Sequence, residues 1–198
     1  TNILCYNFYF IPNKFSFLKK NSDFITFSYL GSVREEKGVI SFLKLAQQIN
    51  HENVRFKMIG KKSNEVLGFN NLLKETQQIQ KNFIYGDTFL SDDELTFHIR
   101  DSDYVVLPYD IESYGCRGSG FLYELLKNRT PFIGSSIPIF DYYHQLGMGL
   151  IFKNFDELCN IVEHLLSKTI IFDFNKVENI ILEKSYSMNY NKFLKEIS

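Results

Sequence analysis

Along this chain, short apolar runs alternate with longer stretches in which apolar side chains recur at helical spacing. Ile25-Thr26-Phe27-Ser28-Tyr29-Leu30 reads as a strand ending at Gly31. Val39, Phe42, Leu43, Ala46 and Ile49 then mark a helix over 38–50. The cycle repeats with a strand over 54–59 ending at Gly60, a helix carrying Leu72, Leu73, Thr76 and Ile79, and a strand over 82–85 ending at Gly86. Ser91 followed three residues later by Glu94 has the form of a capping box opening a helix over 92–101. Tyr104-Val105-Val106-Leu107 is apolar throughout, as expected of a central strand covered on both faces of a parallel sheet. After it come a helix over 121–126, a short strand at Phe132-Ile133, a helix from Pro138 to Leu146 and a strand over 149–152. Asn154 and Glu157 cap a helix carrying Phe155, Leu158, Ile161, Val162, Leu165 and Leu166.

Strands and helices alternating at these lengths predict right-handed crossovers and a Rossmann-like α/β fold. That fold is an open parallel sheet of about six strands with helices on both faces. The expected division is a leading segment over 1–24, the sheet domain over 25–170 and a helical tail over 171–198. In such a sheet ligands bind at the carboxyl ends of the strands, where the strand order reverses. The candidate loops are therefore 31–38, 60–64, 86–91, 108–120 and 134–138.

Composition narrows the classes. With 198 residues, 44% of them hydrophobic and 23% charged, the chain has the make-up of a soluble globular domain with a real core. A net charge of −1 argues against nucleic acid as a partner, because that would need clustered Lys and Arg. The three cysteines, Cys5, Cys116 and Cys159, form no CxxC pair, so neither a disulfide framework nor a zinc site is expected. No apolar run approaches the roughly 18 residues of a membrane span, and the start lacks a signal peptide, which together predict a cytoplasmic protein. A chain starting at Thr1 rather than Met is expected to be a piece of a longer one.

The strongest chemical signal is Gly118-Ser119-Gly120, which stands between the strand ending at Leu107 and the helix over 121–126. Glycines there let a ligand approach the backbone, and the first amides of the helix point outward with the positive end of its dipole behind them, so a phosphate fits. Arg34 and Lys37, three apart in the loop after the first strand, point at the same crevice and could hold a diphosphate, Arg as a fork and Lys as a point charge. On spacing alone they could equally be a solvated charge run paired with Glu35 and Glu36. Glu124, about one turn beyond Gly120, is placed to accept hydrogen bonds from a ribose diol, or merely to complement the helix dipole. His51, His98, His144 and His164 have no ligand-spaced partners and read as surface or packing residues. Cys116, near the phosphate loop, could have a lowered pKa, but no base partner is in view.

Taken in order, these motifs resemble a family. Gly-x-x-Arg-x-x-Lys-Gly after the first strand, Ile59-Gly60, Phe83-Ile84-Tyr85-Gly86-Asp87, Asp101-Ser102-Asp103-Tyr104-Val105-Val106-Leu107-Pro108-Tyr109, Gly118-Ser119-Gly120-Phe121-Leu122-Tyr123-Glu124 and Thr130-Pro131-Phe132-Ile133-Gly134-Ser135 look like the nucleotide-sugar-binding C-terminal domain of group 1 glycosyltransferases with the GT-B fold. The likeness runs from about residue 25 to 168. It implies retaining transfer of a sugar from a nucleoside diphosphate sugar to a saccharide or lipid-linked acceptor, without a bound metal. Arg34 and Lys37 would neutralise the leaving diphosphate and the amides of Gly118, Ser119 and Gly120 would assist. Gly31, Ser32 and Gly60 would border it. Glu124 would bind the ribose, and Asp87, Thr88 and Phe89 after Gly86 would border the base. Polysaccharide biosynthesis follows as the setting, in the cytoplasm or at the inner membrane face.

The sequence departs from the family pattern at three points. The family's first glutamate, eight positions before Glu124, falls on Cys116, while Glu112 in Glu112-Ser113-Tyr114-Gly115 stands twelve before it; either a four-residue insertion moves the role to Glu112 or, the reading preferred, the chain belongs to a branch that uses Arg117-Gly118-Ser119-Gly120 instead. The commoner arginine position after Gly31 is Ser32. Residues 1–24 are too few for the amino-terminal domain that a GT-B enzyme needs, so the chain is expected to bind donor but not to turn over alone. Tyr186, Tyr190 and Phe193 of the tail are candidates for its docking surface. A GT-B-type UDP-sugar epimerase domain and a non-enzymatic flavodoxin-like nucleotide-binding module are the alternatives.

Overall fold

The computed structural model describes residues 23–63, 65–114, 120–168, 170, 172 and 174–183. The repeating cycle becomes β1 (Ile25–Leu30), α1 (Val39–Gln48), β2 (Val54–Ile59), α2 (Phe69–Ile79), β3 (Phe83–Gly86), α3 (Asp92–Arg100), β4 (Tyr104–Leu107), α4 (Ile111–Tyr114), α5 (Gly120–Lys127), β5 (Phe132–Ser135), α6 (Pro138–Gln145), β6 (Gly149–Phe152), α7 (Phe155–Ser167) and α8 (Phe174–Glu183). The strands form one sheet in the order β3-β2-β1-β4-β5-β6, and every neighbouring pair is parallel. The order therefore reverses between β1 and β4, which makes both of them central, as the apolar run at 104–107 predicts.

Each face of the sheet has its own core. On one, α1, α2 and α7 cover Phe27, Tyr29, Phe56, Met58, Val106 and Ile133; on the other, α3, α5, α6 and α8 cover Leu30, Ile59, Val105, Leu107 and Phe132. Phe27, Phe42 and Phe56 are fully buried and their rings meet at 5.6 and 5.8 Å about Phe56, so each contributes about 1.5–3 kcal/mol by leaving water. The capping box at Ser91 and Glu94 is formed in both directions, and Asn154 caps α7 by accepting from the Glu157 amide at 2.9 Å.

The structure adds two elements that periodicity does not predict, a 3₁₀ turn over Glu35–Lys37 and the short helix α4, and it lengthens β5 to four residues because Gly134 and Ser135 pair with Ile151 and Phe152. It also shows a polar patch on the α3 side of β1 and β2, beside the apolar Leu30 and Ile59. The two-residue strand period that sends Phe27, Tyr29, Phe56 and Met58 to one face sends Ser28 and Lys57 to the other. There Lys57, 2% exposed, donates to Asp101 Oδ2 at 2.8 Å and to the His98 carbonyl at 3.1 Å, and Ser102 Oγ donates to Ser28 Oγ at 2.6 Å. Removing the carboxylate leaves a buried ammonium with a weakened set of acceptors. Asp101→Asn should lower stability by about 2 kcal/mol, the lower side of a broken buried pair because Asp101 itself is partly exposed; a denaturant melt checks it.

The tail helix α8 starts at Phe174, inside the expected tail, and packs on α5, where Glu178 receives Arg129 as a fork, Nε and Nη2 each at 2.6 Å. Arg129 holds the left-handed backbone, φ 50°, in the turn after α5. Tyr186, Tyr190 and Phe193 lie outside the described residues.

Candidate functional site

The crevice at the reversal point has two lips. The first is the loop after β1, where the ladder runs on past the strand ends: the Gly31 amide donates to the Ile59 carbonyl at 3.0 Å, and the Gly60 amide to the Gly86 carbonyl at 2.9 Å. A side chain at Gly60 would overlap the Gly31 carbonyl, so the backbones of β1 and β2 meet there with nothing between. Val33 bridges to Lys62, and Tyr29 donates its hydroxyl to the Ser32 carbonyl at 3.1 Å. The second lip follows β4 and carries Pro108, Tyr109, Asp110 and α4. The lips are tied by the Asp110 amide, which donates to the Glu36 carbonyl at 2.9 Å. Hydrogen bonds from the side chain and amide of Ser113 hold the Asp110 carboxyl below its ordinary range.

Arg34 and Lys37 both stand on the first lip, as their spacing predicts. Arg34 is engaged on two sides, with Nη2 donating to the Tyr114 hydroxyl at 2.9 Å and Nη1 paired with Glu36 Oε1 at 3.1 Å. Its Nε is buried without a hydrogen-bond partner. Lys37 Nζ lies 5.7 Å from the centre of the Tyr109 ring and reaches toward Gly31. Burial first, and then the charge of Arg34, push the Lys37 pKa down. Tyr29, Tyr109 and Tyr114 wall this corner, the last two with ring centres 4.5 Å apart; burial, followed by Tyr109, drives the Tyr29 hydroxyl far above its ordinary value. Thus the two cations share one pocket, and one of them also carries the internal ion pair that the charge-run alternative expects.

On the other side of the turn a cleft of ≈ 850 Å³ opens between the lips and α7, lined by Glu36, Asp110, Glu112, Ser113, Lys153 and Asn154 among others. Among the described residues neither Arg34 nor Lys37 lines it. Glu112 therefore faces a different space from the cation pair.

Further along the edge, Asp87 Oδ1 accepts from the Lys62 amide at 3.1 Å and pairs with Lys61 Nζ at 3.3 Å; the Lys62 bond first, and Lys61 next, keep its pKa low. Thr88 donates to the Phe89 carbonyl at 3.1 Å, and the Phe89 side chain is 80% exposed. Glu124 lies one turn into α5, half-buried, with Lys127 Nζ 3.7 Å away. Gly120 opens α5, whereas Cys116, Arg117, Gly118 and Ser119 lie outside the described residues. The structure thus gathers Gly31, Ser32, Arg34, Lys37 and Gly60 at the ends of β1 and β2, and sets Asp87, Thr88 and Phe89 beside them after β3.

Residues to which sequence reasoning gave no role at the site are Tyr109, Tyr114 and Asp110; Glu36 entered it only as a partner in the charge run. Two tyrosines within the loop after Leu107-Pro108 were the available signal. His144 Nδ1 lies 2.7 Å from the Gly149 carbonyl, and the exposed His51 accepts at Nδ1 from the Asn53 amide at 3.4 Å, a packing and a surface position respectively. Among the described residues no helix is long and apolar enough to cross a membrane.

The family model described as "Glycosyl transferases group 1" matches residues 10–181. No curated protein is matched by the sequence. Among solved structures, the C-terminal domain of the glycosyl transferase group 1 family protein LpcC from Francisella tularensis is similar with a TM-score of 0.59 and 18% identity, over 85% of this chain and 85% of that one. The lipopolysaccharide outer core galactosyltransferase WaaB is similar with a TM-score of 0.60 and 14% identity, over 87% of this chain and 48% of WaaB. Anabaena HepE, solved with UDP and glucose, gives 0.59 and 14% over 88% of this chain and 48% of HepE. The chain thus spans about half the length of WaaB and HepE and most of the separate LpcC domain. At these identities the likeness shows the fold, which is the carboxyl-terminal half of the GT-B arrangement.

Proposed function

This chain belongs to the group 1 glycosyl transferases, and from that premise we propose that it is the donor-binding domain of a retaining enzyme that moves a sugar from a nucleoside diphosphate sugar to a saccharide or lipid-linked acceptor. The observation that carries the reading is the convergence of Arg34 and Lys37 on one corner of the crevice where the strand order reverses. As the glycosidic bond breaks, negative charge grows on the departing diphosphate. Cations fixed in a partly dry corner stabilise that charge more than they stabilise the ground state. In this reading Gly118, Ser119 and Gly120 add backbone amides, Glu124 takes the ribose hydroxyls, the backbone of residues 86–89 borders the base, and no metal is required. A second domain supplies most acceptor contacts, so the chain alone binds donor without turning it over. The setting is polysaccharide biosynthesis in the cytoplasm or at the inner membrane face. A flavodoxin-like module would want carboxylates at the end of β1, the position that Arg34 and Lys37 occupy.

Calorimetric titration with UDP, GDP, ADP and CMP, with EDTA or with magnesium, tests the reading. UDP comes first because it is the nucleotide in the HepE structure. One nucleoside diphosphate should bind selectively and equally well with EDTA; no binding at millimolar ligand would overturn the donor assignment. Glu124→Gln should weaken that ribonucleotide about tenfold, one charged hydrogen bond, and should leave its 2′,3′-dideoxy analogue unchanged. Equal loss on both would mean that Glu124 serves the fold and not the ribose.

A further inference from the structure

A guanidinium carries five N–H donors in a rigid plane and grips an anion best as a fork. In the crevice Arg34 is not presented that way. Glu36, from the same turn, holds Nη1 at 3.1 Å, and Tyr114, from the opposite lip, holds Nη2 at 2.9 Å. Nε is buried with its hydrogen-bonding capacity unmet. A carboxylate of the protein thus occupies part of the donor set of this cation.

The two holds differ in kind. Tyr114 is 7% exposed and packs at a tilt against Tyr109, ring centres 4.5 Å apart, so its hydroxyl is a fixed post across the crevice. The Arg34 and Glu36 side chains are 30% and 28% exposed, and an ion pair so open to water is weak and easily exchanged. The Glu36 side chain can also swing into the adjoining cleft, which it already lines.

We propose that Glu36 is a built-in counter-ion that the diphosphate of the donor displaces from Arg34, and that Tyr114 is the positioning residue that keeps the guanidinium in the crevice while the exchange occurs. This rests on the donor-binding reading above. While Glu36 is in place the corner carries one net positive charge instead of two and holds small anions less tightly. Once the diphosphate takes Nη1, the net positive charge of Arg34 and Lys37 is directed at the ligand.

The test is calorimetric titration of the full chain, at low salt, with UDP and with inorganic pyrophosphate. It compares wild type, Glu36→Gln and Tyr114→Phe, each also combined with Arg34→Ala, after thermal melts confirm cooperative folding. Glu36→Gln should tighten both ligands about fivefold, a gain that shrinks as salt is raised. Tyr114→Phe should weaken both about tenfold. Both changes should vanish in the Arg34→Ala background, which a general structural role would not produce. Wild-type binding with no gain in Glu36→Gln, or an equal gain without Arg34, overturns this inference alone. Failure of both wild type and Glu36→Gln to bind either ligand overturns the donor-binding reading and this inference with it.

Discussion

Replacing Gly38 by alanine should cost about 4 kcal/mol or more of stability, among the largest single-residue losses this domain can show. Gly38 closes the 3₁₀ turn and opens α1 with φ 69°, the left-handed region in which a β-carbon costs about 1–2 kcal/mol. The added carbon would also overlap the Pro108 carbonyl, which is backbone and can yield only if the second lip moves. That movement would strain the bond from the Asp110 amide to the Glu36 carbonyl that holds the lips together. In a chain of this length the loss is about 10 °C or more in Tm, read by calorimetry or circular dichroism. A variant that melts within about 2 °C of wild type would mean that Pro108 is not fixed against the turn.

Lys37→Met should separate binding from stability. On the proposed donor-binding reading, loss of the ammonium removes a charged contact to the diphosphate, so affinity should fall about thirtyfold, and in a complete enzyme the turnover number should fall by about 10² to 10³. Stability should move the other way. Burial and Arg34 depress the pKa of Lys37 below 10.5, so the unfolded chain holds that proton more tightly than the folded one does. The cost of charging Lys37 in the folded state is fully present below its folded pKa, and it fades as pH rises from there toward 10.5. Methionine keeps the length of the side chain without that cost. The ligand-free variant should therefore melt higher at pH 7, with the advantage shrinking in alkaline buffer. Thermal melts from pH 7 to 10.5 beside calorimetric titration check both halves; a lower melting temperature at pH 7 would show that the lysine supports the fold.

The fold was legible because burial is periodic. Tyr104 to Leu107 announce a central strand, and Ser91 with Glu94 announce the start of α3, since each signal is contained within a few residues. Two kinds of feature escaped. The polar face under α3 depends on Lys57 meeting Asp101, a pairing across 44 positions that neither strand nor helix periodicity encodes. The run from Arg34 to Lys37 was ambiguous because its charge-run partners are local, whereas the partners that tell the two cations apart are distant: Tyr114 stands 80 positions from Arg34. Only the fold decides that Arg34 turns to Glu36 and Tyr114 while Lys37 turns to Gly31 and Tyr109. Glu124 was placed correctly on α5, but its role depends on Gly118 and Ser119, which lie outside the described residues.

The meeting of β1 and β4 also governs how the crevice comes into being. At that seam the Thr26 amide donates to Asp103 Oδ2 at 2.7 Å across 77 positions of chain. Closing a loop of that size gives up about 4 kcal/mol of chain entropy before any contact at the seam offsets it. The β1–β2 and β5–β6 pairs join near neighbours in sequence and bear a smaller cost. Each half of the sheet can therefore gather itself, while the site exists only once the halves have met. A ligand that touches both lips acts as a clasp on that step, adding about 2.7 kcal/mol to the joined state at a hundredfold excess over its Kd. In a cell the concentration of the donor would thus help set how much of this domain is closed at its middle.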